Sequence, residues 1–284
     1  MNSPPRVSIV LTRYREPNWL LFETLASLAC QQSVNAEVLL LDQLDDSETR
    51  SYARSLSSKS IVFKCSPISE MGLSFARNQG LKLAENNIVL FIDADAIADC
   101  TWALNLYLSL THRDVAVAGS RIVPKWLSRP LFIARSRIIQ DQYSIFDLGE
   151  TVLDIHRVVG AGFGVNKEAS GEQCYFDEAF GRREGRLLGG EESDLCRRVR
   201  SKGRRIQYVG TSLVIHQIPM ERIQYRWIAR RLMYAGLSKA LVGGTPQPTH
   251  DLSLWDYVVL PLILPMYGFG YVTGRWLQLK GGAK

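Results

Sequence analysis

The chain has 284 residues, enough for one large α/β domain or one domain with an appendage. A hydrophobic share of 46% and a charged share of 22% exclude a disordered chain, and a net charge of +6 suits an anionic partner without choosing among nucleotide diphosphate, nucleic acid and acidic membrane. Five scattered cysteines (Cys30, Cys65, Cys100, Cys174, Cys196) with no C-x-x-C pair exclude a zinc ribbon and a disulfide framework, and read as a reducing compartment.

Val7–Leu11 is an apolar run predicted as a strand that begins almost at once, so no signal peptide is read in MNSPPRVSIVLTRY. Asn18–Gln31 carries Leu20, Leu21, Leu25 and Leu28 at helical spacing, with Asn18 as the expected N-cap. Val38–Leu41 reads as strand, the stretch from Ser47 as helix, Ile61–Cys65 as strand, Leu73–Ala84 as helix and Ile88–Ile92 as strand. Trp102–Leu110 is predicted helical and Val115–Ala118 a strand. Strands without polar alternation, separated by helices, predict a mostly parallel sheet covered on both faces. From Pro124 to Arg186 the pattern is irregular, and Gly160, Gly162 and Gly164 read as a place where backbones approach closely. A helix is expected over Gly190–Ser201, then short strands over Ile206–Val209 and Leu213–Ile215 leading to His216.

Parallel sheets bind ligands beyond the carboxyl ends of their strands, where Thr12, Asp42, Asp93 and Asp95 fall. Two aspartates within one short turn repel each other unless a cation sits between them. Mg²⁺ or Mn²⁺ accepts one or two carboxylates plus phosphate oxygens, so FIDADA suits a metal–diphosphate site. The structural alternative is a turn in which one aspartate caps the helix near Thr101. Glu191, Glu192 and Asp194 at a helix start are also what dipole compensation selects, and His216 has an ordinary structural reading.

The ordered run GLSFARNQG (residues 72–80), IVLFIDAD (88–95) and GGEESDLCRRVRSKGRRIQYVGTSLVIH (189–216), preceded by VSIVLTRYRE and LLLDQLDDS, resembles glycosyltransferase family 2. The resemblance covers residues 6–240 and implies the GT-A fold, with a catalytic domain over residues 1–218 and a helical region with an apolar tail over residues 219–284. It implies that Thr12 and Glu16 line the nucleotide pocket, that Asp42 faces the base, and that Arg77 lies near the nucleotide or diphosphate. Asp93 and Asp95 would hold a divalent metal and the donor, with His216 approaching as a further ligand, and Glu191 or Glu192 would be the general base. The expected activity is inverting transfer from a nucleoside-diphosphate sugar, UDP- or dTDP-linked, to an acceptor hydroxyl in polysaccharide or glycolipid assembly. Two departures stand out: Gln43-Leu44-Asp45-Asp46 follows the second strand where the family has an acidic or amide residue, small residues and serine, and Glu192 stands where the family commonly has Asp. Gln224 lies one residue too close to Arg226-Trp227 for the motif of processive synthases.

Tyr257–Gly274 holds no charged residue but contains Pro261 and Pro265. Before it, Arg226, Arg230, Arg231 and Lys239 lie beside apolar residues at helical spacing. Together they predict peripheral attachment to the inner face of the cell membrane and an acceptor that is lipid-linked; packing of the tail on the catalytic domain is the alternative. A nucleotidyltransferase would need a glycine- and lysine-rich loop where TRYREP stands. A non-catalytic sugar-nucleotide-binding module is the second rival, and no nucleic-acid-binding motif is present to support that use of the basic charge.

Overall fold

Apolar strands that do not alternate must be covered on both faces, and the computed structural model, which describes residues 3–70, 72–182, 187–243 and 252–281, covers them so. The first half runs β1 (Arg6–Arg13), α1 (Asn18–Ala29), β2 (Asn35–Asp42), α2 (Ser47–Ser55), β3 (Ile61–Pro67), α3 (Leu73–Leu83) and β4 (Ile88–Asp93). These strands pair in parallel in the order β3-β2-β1-β4. Next come β5 (Ala96–Ala98), α4 (Trp102–Leu110), β6 (Val115–Trp126), α5 (Arg137–Gln142), β7 (Val152–Asp154), β8 (Gly162–Asn166) and α6 (Lys167–Ser170). The chain continues through α7 (Glu191–Ser201), β9 (Arg205–Ile218), α8 (Tyr225–Val242) and α9 (Leu254–Gly281). The sheet continues past β4 as β8-β6-β9-β5, with β8 antiparallel to both its neighbours.

Alternate residues of one strand feed two cores. Ile9 and Leu11 face Leu21, Leu25, Trp102 and Leu106 of α1 and α4, whereas Val10, Val89 and Phe91 face Leu195 and Val199 of α7. Each large apolar side chain so buried contributes about 1.5–3 kcal/mol.

Several local expectations are corrected. Pro17 is the N-cap of α1, and the Asn18 side chain instead accepts from Arg13 and donates to Glu48. The two short strands expected near residues 206–215 form one strand, β9, because residues 210–212 bulge out opposite the Ser120–Arg121 step of β6. The irregular middle contains α5, β7 and β8, too short or too glycine-rich to show a period; its residues 183–186 lie outside the described residues.

The tail is one helix despite Pro261 and Pro265. It packs against α8, where Gly236 meets the backbone of Tyr267 and Gly270 that of Met233, contacts that a Cβ would block. Its first turn is tied to the body by Asp256, which is fully buried. That carboxylate accepts from Ser136 Oγ (2.6 Å), Ile138 N (3.0 Å) and Ser253 Oγ (2.7 Å). By length and composition the helix is apolar enough to cross a membrane, and only 22% of its most apolar stretch is buried in the fold. Leu262, Phe269, Val272 and Leu279 are among its exposed side chains. Within the expected region 219–284, residues 244–251 and 282–284 lie outside the described residues.

Candidate active site

Strand register brings the sequence-distant residues together. In the β1–β4 pairing Thr12 lies beside Asp93. The chain then turns through Ala94 and Asp95 into β5, whose Ala96 pairs with His216 on β9. His216 is buried, with Nε2 at 3.3 Å from Asp95 Oδ1, and Arg222 Nη1 lies 2.9 Å from Asp95 Oδ2. The capping alternative for Asp93 and Asp95 fails, because Asp99 accepts from Thr101 N and Oγ1 at the start of α4 and leaves the pair without that duty.

Arg77, on α3, is the hub. It is fully buried against the rings of Phe163 and Phe176, and it pairs with Asp93 (3.3 Å), Glu191 (3.2 Å) and Glu192 (2.7 Å) while donating to the Gly160 carbonyl (3.2 Å). A Cβ at Gly160 would collide with Glu192 Oε1 and stand 2.9 Å from Arg77 Nη2, so any larger residue there must displace the ends of those two side chains. One guanidinium against three carboxylates leaves excess negative charge. Burial, then the neighbouring Glu192, pushes Glu191 up to about 7. Burial works the same way on Glu192, but Arg77 outweighs it and holds that carboxyl below its usual value. Burial raises Asp93, while at Asp95 the charges of Arg222 and His216 overcome burial and lower it.

The donor set fits a divalent cation. His216 Nδ1 lies 2.7 Å from the Tyr143 carbonyl, which only accepts, so Nδ1 carries a proton and Nε2 is the nitrogen turned towards the Asp95 carboxylate. An imidazole nitrogen and a carboxylate at this spacing, with Asp93 two residues away, are donor types that a divalent cation accepts. Among the described residues no three His, Cys, Asp or Glu side chains already stand at ligating spacing. Mg²⁺ or Mn²⁺ takes few protein ligands and completes its shell with phosphate oxygens and water.

Two cavities flank this centre. One, of about 290 Å³, is lined by Thr12, Glu16, Gln43, Asp93, Asp95 and Arg222. The other, of about 460 Å³, is lined by Arg77, Asp93, Glu191, Glu192 and residues of α8. Leu73, Asp93 and Arg182 border both. Asp42 stands behind the first cavity: it is buried, accepts from Leu44 N and Asp46 N, and lies 3.5 Å from Arg13. Its neighbour Gln43 reaches the wall instead. Glu16 folds onto its own loop, accepting from Tyr14 N and Arg15 N.

The family model of glycosyl transferase family 2 matches residues 8–172. The chain belongs to glycosyltransferase family 2. Its α/β sheet is of the GT-A type, and the glycosyltransferase superposes on a mannosyltransferase from Pyrobaculum calidifontis in complex with GDP-Man and Mn²⁺. That TM-score is 0.62 at 18% identity, covering 98% of this chain and 80% of that one. It is 24% identical over 242 residues to a glucosyl-dolichyl phosphate glucuronosyltransferase of Haloferax volcanii, covering 84% of this chain and 77% of that protein. It is 29% identical over 215 residues to a pre-mycofactocin glycosyltransferase of Mycobacterium tuberculosis, covering 73% of this chain but 42% of that protein.

Sequence reasoning missed Arg222, Arg182 and Tyr143 in this glycosyltransferase. None falls within a spaced pattern; each reaches the centre through a loop or turn that only the folded chain defines. Arg231 and Lys239, read from sequence as membrane-facing, line the larger cavity.

Proposed function

We propose that this glycosyltransferase transfers a sugar, with inversion, from a nucleoside diphosphate sugar in the smaller cavity to an acceptor hydroxyl in the larger one. Residues 1–218 form the catalytic domain and residues 219–284 a helical region that closes the acceptor side and rests on the inner membrane face. The observation that carries the reading is the Arg77 hub, which ties Asp93, on the wall of both cavities, to Glu191 and Glu192, on the acceptor side.

Thr12 and Glu16 bound the donor pocket, and Asp42 fixes the turn that presents Gln43 to it. Asp93, Asp95 and His216 would hold the divalent metal, drawing together around it, and the metal would stabilise charge on the departing diphosphate. Arg77 orients the carboxylates and offsets their repulsion. Glu192 takes the proton of the acceptor hydroxyl: its side chain is 14% exposed against 3% for Glu191, and it is the member of the pair held ionised at neutral pH. Glu191 stands behind it. The relatives' printed activities, on dolichyl phosphate-linked sugar and pre-mycofactocin, support glycolipid or glycoconjugate assembly. For the donor, UDP- and dTDP-sugars remain the first choices by family resemblance, and the GDP-Man of the similar mannosyltransferase adds guanosine sugars to the panel.

The test is thermal stabilisation by a panel of UDP-, dTDP- and GDP-sugars with and without Mn²⁺, on wild type, Asp93→Asn and Asp95→Asn. A Mn²⁺-dependent shift with one donor class, lost in the variants, is expected. No metal-dependent shift with any donor would overturn the reading.

A further inference from the structure

The larger cavity has a charge imbalance that sugar transfer to a neutral hydroxyl does not require. Four carboxylates line it, Asp93, Glu191 and Glu192 around Arg77 and Asp141 paired with Arg157 at 2.6 Å, against seven Arg and Lys side chains. Arg182, Arg200 and Arg231 also line it, and among the described residues none of the three has an ion-pair partner. These cations come from separate segments: a loop before α7, the last turn of α7, and α8. Convergence on one cavity therefore needs the tertiary fold and is not a by-product of one helix face.

Arg231 is the least ordinary of them. Its Nη1 donates to the Leu187 carbonyl (2.9 Å), while its Nε is buried with no hydrogen-bond partner among the described residues. Burial, then the like charge of Arg182, pulls it down to about 10. A buried guanidinium nitrogen left unpaired costs about 1–3 kcal/mol, and two guanidiniums facing one space repel each other. An anion carrying several oxygens relieves both at once. Tyr267 of α9 borders the same cavity, and α9 continues away from it with an exposed apolar face.

We propose that Arg231 and Arg182 form an anion subsite in the acceptor cavity, taking the phosphate or diphosphate of a lipid carrier whose hydrocarbon tail lies along α9. This rests on the reading of that cavity as the acceptor side and adds the acceptor's chemical class: a hydroxyl-bearing group joined through phosphate to a membrane lipid. The phosphate anchors at Arg231 while the hydroxyl to be glycosylated is presented to Glu192 on the same wall.

The test uses the full chain in neutral detergent micelles, with a polyprenyl monophosphate, the matching polyprenol and inorganic phosphate as probes, read by tryptophan fluorescence titration. Wild type is expected to bind the polyprenyl phosphate roughly tenfold or more tighter than the polyprenol. Arg231→Gln is expected to erase that preference and Arg231→Lys to restore part of it, with nucleotide-plus-Mn²⁺ binding unchanged in both. Should Arg231→Gln lose its circular dichroism signal, Arg182→Gln carries the same expectation of a diminished preference. A preference kept in folded Arg231→Gln would overturn the subsite. Inorganic phosphate binding as tightly as the lipid phosphate would assign the cations to free phosphate and overturn the lipid source. If no nucleotide sugar binds yet the lipid phosphate preference still depends on Arg231, the transferase reading fails and the subsite stands. Metal-dependent donor binding without that preference would overturn the subsite and leave the transferase reading in place.

Discussion

Replacing Glu191 by Gln is expected to stabilise the protein, by an amount that grows with pH. Glu191 is 2% exposed, its Oε2 has no partner among the described residues, and the guanidinium it faces is shared with Glu192 and Asp93. Burial and the neighbouring charge lift its pKa from 4.5 to about 7. An acid whose pKa is raised by folding binds more protons in the folded state, so stability falls as pH rises through that window. At about 1.4 kcal/mol for each pH interval of one between the unfolded and folded pKa, the ionised side chain costs about 3 kcal/mol near pH 8 and under about 1 kcal/mol near pH 5. Gln keeps an oxygen for Arg77 Nη1 and removes the charge. With roughly 2 °C of melting temperature per kcal/mol in a protein of this size, Glu191→Gln gains roughly 6 °C near pH 8 and roughly 2 °C near pH 5. Melting followed by circular dichroism across that range, in one ionic strength, measures it. A gain that does not vary with pH, or a loss near pH 8, would refute the assignment of the cost to a buried charge.

Glu192→Gln should leave donor-dependent thermal shifts in place while lowering kcat by roughly 10²–10⁴, measured as nucleotide release with acceptor present. Gly160→Ala forces a methyl between Glu192 and Arg77; a destabilisation of about 1–3 kcal/mol and loss of turnover are expected in urea melts and the same release assay. Asp256→Ala strands the buried hydroxyl of Ser136, costing about 1–3 kcal/mol. Limited proteolysis should then cut ahead of α9 faster than in wild type; an unchanged cleavage rate would show that the Gly236–Tyr267 and Gly270–Met233 contacts hold the helix alone.

What could be read from the sequence was what repeats or what sits beside a regular element. The parallel half of the sheet follows from unbroken apolar runs, since strands such as Val38–Leu41 leave no polar face to expose. Asp93 and Asp95 were legible because a carboxylate pair after a buried strand needs a cation. The direction of β8 was not, because Gly162–Asn166 has too little side chain to carry a pattern, and the bulge in β9 hides the unity of that strand. Asp42 shows the limit of reading by position: it stands at a strand end as expected, yet it spends its oxygens on the turn that Asp46 continues. Arg231 shows another. Its helical spacing is amphipathic by pattern, but which flank of α8 meets α9 and which meets the cavity is decided by two glycines far apart in the chain, Gly236 and Gly270.

The Arg77 hub also bears on how this chain tolerates change over generations. One positive charge faces three acids, packed closely against glycine at position 160. Losing Arg77 alone would bury unpaired carboxylates at a cost of about 3–5 kcal/mol, a large part of the margin by which proteins stay folded. Loss of Arg77 alone therefore passes through a poorly folded intermediate, whereas neutralising one of the acids, as in Glu191→Gln, does not. In descendants of this chain a replacement of Arg77 should be accompanied by a loss of charge at Asp93, Glu191 or Glu192, whereas a lone neutral residue at position 191 should need no such compensation.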